Sequence, residues 1–221
     1  MALTNRQIER YSRQIIVPNF GGVAQERLLE SRILLIADTA RAESVLAYLV
    51  GAGVGRIDLR TAIGVSARDA MLARMRDLNP DSIVRIAENV DGEFDVVLAI
   101  VGDGATLDEV RALCDRPANL AIVLARVDDP ARIAVLPVRP PCPRCADAGE
   151  LLAPVGACAG NAGFVANLAA LEAIKLLARF APAPKPTLVE FCGYESSARV
   201  PGSMGRSSCG CASTLAPEGP R

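Results

Sequence analysis

The sequence predicts an α/β fold: a doubly wound, mostly parallel sheet with a helical arm before it and a cysteine-bearing region after it. Three observations predict this. Short apolar runs such as Ile33–Ile36 and Val96–Val101 lack the alternation of a half-exposed strand, which marks strands buried on both faces. These runs alternate with helix-like stretches, the pattern of β-α-β units in a parallel sheet. Hydrophobic residues make up 51% of the 221, enough for the core that a sheet covered on both sides requires.

The elements follow in order. Residues 5–30 read as two short helices joined at Pro18–Gly22, with Ile15, Ile16, Leu28 and Leu29 as their apolar contacts. Ile33–Ile36 is the first strand. A helix over about Glu43–Val50 follows, with Gly51 and Gly53 where a left-handed helix end is expected. Arg56–Leu59 is the second strand. Ser66–Asp69 opens a helix that stops at Asn79–Pro80, and Ile83–Ala87 is the third strand. Phe94–Val101 is the strongest strand, ending at Gly102-Asp103-Gly104; a helix over Thr106–Cys114 and a strand over Asn119–Ala125 come next. Beyond residue 131 the pattern changes. Ile133–Val138 is strand-like, and Arg139–Cys145 is too rich in proline for regular structure. A long helix over about Asn161–Phe180 places Phe164, Leu168, Leu171 and Ile174 on one face. Leu188–Phe191 is a last strand. Residues 1–200 therefore form one domain: the arm (1–31), a nucleotide-type fold (32–130) and a cysteine knuckle with the late helix (131–200). Residues 201–221 form a tail rich in Gly, Ser and Pro.

Composition narrows the function. Net charge is −1 and no basic stripe occurs, which argues against nucleic acid as a partner. Leu151–Leu171 is uncharged and long enough to cross a bilayer, but Pro154, Gly156, Gly160, Asn161, Gly163 and Asn167 interrupt it, so no membrane span is expected. Met1–Arg13 is polar and carries no apolar leader core, which predicts a cytoplasmic address. There are seven cysteines and no histidine, so a zinc site here needs thiolates or carboxylates. Cys142-Pro143-Arg144-Cys145 supplies one pair and Cys209-Gly210-Cys211 another; four thiolates close a structural zinc site. The alternative is a set of unpaired or redox-active thiols. Cys114 and Cys192 read as small buried hydrophobes. Cys158, between Ala157 and Ala159 in a glycine-flanked loop, reads either as a small packing residue or as a thiol activated beside a helix start.

Four motifs in these elements carry a resemblance. Arg10-Tyr11-Ser12-Arg13-Gln14 with Gly22 and Gln25, Ala52-Gly53-Val54-Gly55, Cys142-Pro143-Arg144-Cys145, and Leu171–Leu177 occur in an order that resembles the ThiF/MoeB/HesA family, bacterial relatives of ubiquitin-activating enzymes. The resemblance implies a Rossmann-like fold that binds ATP and magnesium at the carboxyl edge of the sheet, a zinc clip, and a homodimer. It implies a reaction in which the C-terminal carboxylate of a small ubiquitin-like or sulfur-carrier protein attacks the α-phosphate, giving an acyl-adenylate and pyrophosphate. Arg13 matches an arginine that the family offers to the nucleotide across the subunit boundary; its alternative role is to pack the arm. Asp103 lies next to Gly102, which stands where the family has its magnesium aspartate; its alternative role is a turn residue or helix cap.

The sequence departs from that pattern where the nucleotide would sit. After Ile36 it reads Ala37-Asp38-Thr39-Ala40-Arg41-Ala42, with no glycine to let the backbone approach phosphate. After Leu59, where an acidic residue would hold the ribose, it reads Arg60-Thr61-Ala62-Ile63. Gly64-Val65-Ser66 then runs almost directly into a helix, so the family's basic segment is missing. Leu152 stands near the place of the family's thiol nucleophile. Two readings follow: a protein that recognises a carrier tail or peptide with weak or lost adenylylation, or an active adenylyltransferase with a rearranged site. Dinucleotide binding is disfavoured by the same missing turn.

Overall fold

The computed structural model describes residues 2–37, 39–88, 92–101, 109, 121–126, 131–136, 159–180, 187–192 and 197–199. Thr4 starts the arm with a reciprocal cap. Its hydroxyl accepts from the Gln7 N–H at 3.3 Å, and the Gln7 side chain accepts from the Thr4 N–H at 3.0 Å. Helix α1 (Asn5–Arg10) ends at Tyr11, α2 (Ser12–Ile15) follows at once, and α3 (Gly21–Glu30) completes the arm. Residues 5–30 thus form three helices rather than two. The break lies at Tyr11, whose backbone leaves the helical region while its side chain is buried. Ile16, expected to make an apolar contact, is 78% exposed: it caps a helix of four residues and turns away from the core.

The strands are β1 (Arg32–Ala37), β2 (Arg56–Arg60), β3 (Ile83–Ile86), β4 (Val96–Val101), β5 (Ala121–Arg126), β6 (Ala131–Leu136), β7 (Thr187–Cys192) and β8 (Ser197–Arg199). The longer helices are α4 (Thr39–Ala52), α5 (Val65–Leu78) and α6 (Ala159–Ala178). All eight strands join one sheet in the order β3-β2-β1-β4-β5-β6-β7-β8. The pairs from β3 to β5 are parallel, as the sequence predicts, and those from β5 to β8 are antiparallel. Helix α4 starts four residues earlier than its apolar pattern suggests.

Alternate residues of the central strands enter two cores. Ile33, Leu35, Leu98, Ile100 and Val123 pack with Leu28, Leu46, Leu49, Val50 and the buried side of α6. Leu34, Ile36, Val97, Ala99, Ile122 and Leu124 form the second core with Ala134 and Leu136. Burial on both faces is why these strands read as unbroken apolar runs. On α6 the buried side is Val165, Ala166, Ala169, Ala170, Ala173 and Leu177. Phe164 and Leu171, on the face drawn from the sequence, are 59% and 49% exposed. The four alanines let α6 lie close to α4 and the sheet, with Val165 and Leu177 beside them and Leu168 and Ile174 packed at the margin.

Candidate functional site

In an open parallel sheet the ligand crevice opens at the carboxyl ends of the strands, where the chain order reverses. Here that point is β1, flanked by β2 on one side and β4 on the other. Strand β1 ends at Ala37 and α4 begins at Thr39. Asp38, between them, lies outside the described residues. The amino end of α4 still faces the crevice, as in nucleotide-binding folds.

Strand β2 ends in Arg60, in register with Ile36 of β1. Its guanidinium donates to Glu109 Oε1 through Nε at 3.2 Å and Nη2 at 3.0 Å. Both side chains are about a third exposed, at 38% and 34%. Glu109 belongs to the segment after β4, and β1 lies between β2 and β4. The ion pair therefore spans the carboxyl end of β1. Thr61–Gly64 then lead straight to α5 at Val65. Ile63 packs on the core, and Thr61 Oγ1 is buried with no partner among the described residues.

The other motif residues build the opposite edge. The Tyr11 hydroxyl donates to Asp81 Oδ2 at 3.2 Å and accepts from Asn79 Nδ2 at 2.8 Å, and Asn79 Nδ2 also donates to the Val50 carbonyl at 2.7 Å. Arg10 Nε pairs with Asp81 at 3.4 Å. The Gln25 amide donates to the Ala52 carbonyl at 3.0 Å. Gly53 has φ +88°, and a Cβ there would stand 2.8 Å from the Tyr11 ring and 2.7 Å from Gln25 Nε2. A Cβ on Gly55 would collide with the Leu29 carbonyl oxygen. The Ala-Gly-Val-Gly turn is thus a seat for the arm. Burial is the main cause that pushes the Tyr11 phenol up to about 12; the nearby Asp81 carboxylate adds to it, and the Asn79 bond acts the other way.

Arg13 is the second residue of α2 and is exposed, and no described bond links it to Arg60 or Glu109. Tyr11 fastens the arm near the starts of β2 and β3, away from the edge that Arg60 closes. Asp103, Cys114, Cys142, Cys145, Cys158, Cys209 and Cys211 lie outside the described residues. Cys192 closes β7. Among the described residues no group of three or more His, Cys, Asp or Glu side chains is placed to hold a metal ion, and no helix is long and apolar enough to cross a membrane. Glu172 and Lys175, three positions apart on α6, form an ion pair at 2.7 Å.

Sequence reading flagged Arg60 but not its partner Glu109, which sits in a helix of unremarkable pattern 49 residues on. It also missed Asp58, 5% exposed in the middle of β2 and held by Arg32 at 2.6 Å and Arg56 at 3.5 Å. A carboxylate between two arginines inside an apolar strand was the available signal.

No family model matches the chain. Protein HesA of heterocysts from Trichormus variabilis is 44% identical over 57 residues, which cover 26% of this chain and 21% of HesA. The sulfur carrier protein ThiS adenylyltransferase of Escherichia coli is 28% identical over 139 residues, 51% of this chain and 55% of that protein. The chain thus spans about a fifth of the first relative and about half of the second. Among solved structures, E. coli MccB with ATP superposes with a TM-score of 0.73 at 17% identity, over 90% of this chain and 72% of MccB. At that identity the likeness to MccB is one of fold.

Proposed function

The chain belongs to the ThiF/MoeB/HesA family, and from that premise we propose that it recognises the tail of a small ubiquitin-like or sulfur-carrier protein, or a peptide, with ATP-dependent adenylylation weak or lost. The observation that carries this reading is the Arg60–Glu109 pair across the end of β1. A nucleotide fold presents an acidic side chain to the ribose at the end of its second strand. Here a cation stands there, already bonded to a carboxylate that lies over the crevice. The stretch Ala37-Asp38-Thr39-Ala40-Arg41-Ala42 after β1 holds no glycine to give the close backbone approach that phosphates need. The four residues between β2 and α5 include no Lys or Arg to neutralise charge developing on the phosphates.

The E. coli relative is named as an adenylyltransferase of the sulfur carrier protein ThiS, and MccB is described with MccA, which supports a small protein or peptide as the partner. We also propose a structural zinc held by Cys142, Cys145, Cys209 and Cys211, and a homodimer in which Arg13 meets the partner subunit. ATP and magnesium are not expected as working cofactors, and Asp103 has no assigned metal.

One observation favours the second reading, an active adenylyltransferase: α4 still points its amino end at the crevice, a ready anion site over 14 residues of helix. Calorimetric titration with Mg-ATP separates the two. The first reading expects a dissociation constant no tighter than roughly 1 mM, about 4 kcal/mol of binding, little changed by Arg13→Ala, and no exchange of pyrophosphate into ATP. Micromolar binding that Arg13→Ala weakens about tenfold, or 1.4 kcal/mol, would put the active enzyme first.

A further inference from the structure

We propose that Arg60 is a receptor for an external oxyanion, a carboxylate or a phosphate, and that Glu109 occupies its place until the ligand arrives. This rests on the reading that nucleotide no longer fills the crevice. The geometry is that of a guanidinium already engaged with a carboxylate through two N–H donors, Nε and Nη2, at 3.2 and 3.0 Å. Such a fork binds a ligand carboxylate or a phosphate in the same way. Exchange is easy, because both partners are about a third exposed and a surface ion pair contributes little. The pair also stands at the mouth of the crevice rather than on a remote face, since it spans the end of β1.

The test titrates wild type, Glu109→Gln, Arg60→Gln and the double variant with sodium phosphate and, separately, sodium acetate, at ionic strength held constant with chloride. Arginine Nε–H resonances report binding, and thermal melting without added ligand confirms that each variant is folded. We expect wild type to bind at millimolar concentrations and Glu109→Gln to bind two- to fivefold more tightly. Arg60→Gln should abolish the response, and the double variant should behave as Arg60→Gln does. A response to acetate alone identifies a carboxylate-bearing tail, and one to phosphate alone a phosphorylated ligand. Equal binding by wild type and Arg60→Gln, or no gain in Glu109→Gln, overturns the proposal. Failure of the underlying reading shows separately, as micromolar Mg-ATP binding to wild type.

Discussion

Tyr11 is the residue on which the arm hangs. Its phenol is buried, bonded to Asn79 and Asp81, and pushed up to about 12. An unfolded tyrosine ionises near 10. Between pH 10 and pH 12 the unfolded chain therefore releases a proton that the folded chain keeps. Stability is full below pH 10 and falls as pH rises through that window. Tyr11→Phe should lower unfolding free energy at pH 7 by about 1–2 kcal/mol, for two lost hydrogen bonds. It should also flatten the decline above pH 10. Urea unfolding at pH 7, 10 and 11.5 checks both, and an equally steep decline in the variant would assign the alkaline loss to other groups. The motif around Tyr11 was plain in the sequence, but its purpose was not. Asn79 and Asp81 lie about 70 positions away and join the cluster only when α5 returns to the edge where β3 begins.

Helix α6 shows the same limit for a whole element. Its existence and approximate bounds were legible from residue type, and its buried face only in part: Leu168 and Ile174 pack against the core, while Phe164 and Leu171 are exposed. Apolar spacing favours large side chains, so Phe164 and Leu171 drew the core face to themselves. The helix turns its alanines inward because the gap to α4 and the sheet fits a methyl group. Phe164 instead meets Phe191 edge-on at 5.5 Å near the surface. Ala170→Leu should therefore cost about 1–3 kcal/mol by overpacking. Leu171→Ala should cost less than about 1 kcal/mol, since half of that side chain is already exposed. Denaturant midpoints of the two variants decide the matter, and the reverse order would restore the sequence-based face. The strands show a parallel contrast. Runs such as Ile33–Ile36 announced their burial, and the first five strands are parallel as expected. The antiparallel turn after β5 was visible only as a change of pattern, because strand direction depends on pairing partners far along the chain. Strand β8, three residues long, is too short for any periodicity to register.

At the scale of the whole molecule two expectations concern composition and assembly. We expect about one zinc per chain, bound by Cys142, Cys145, Cys209 and Cys211, because four thiols in two close pairs suit a closed tetrahedral site. Elemental analysis of protein made without added zinc tests this; a fully folded, metal-free chain would remove the zinc clip from the description. We expect a two-fold dimer, read by light scattering at tens of micromolar, an order-of-magnitude choice for a stable interface. A monomer at that concentration would leave Arg13 without the role assigned to it. The arm has one more consequence. Phe20 meets Phe180 edge-on at 5.7 Å, and Arg27 donates to the Ala178 carbonyl, 151 positions downstream, at 3.4 Å. A ribosome adds about 5–20 residues per second, so the arm waits roughly 8–30 seconds for the helix it docks against. Its hold on Asn79 and Asp81 can therefore form well before its contacts with α6 exist.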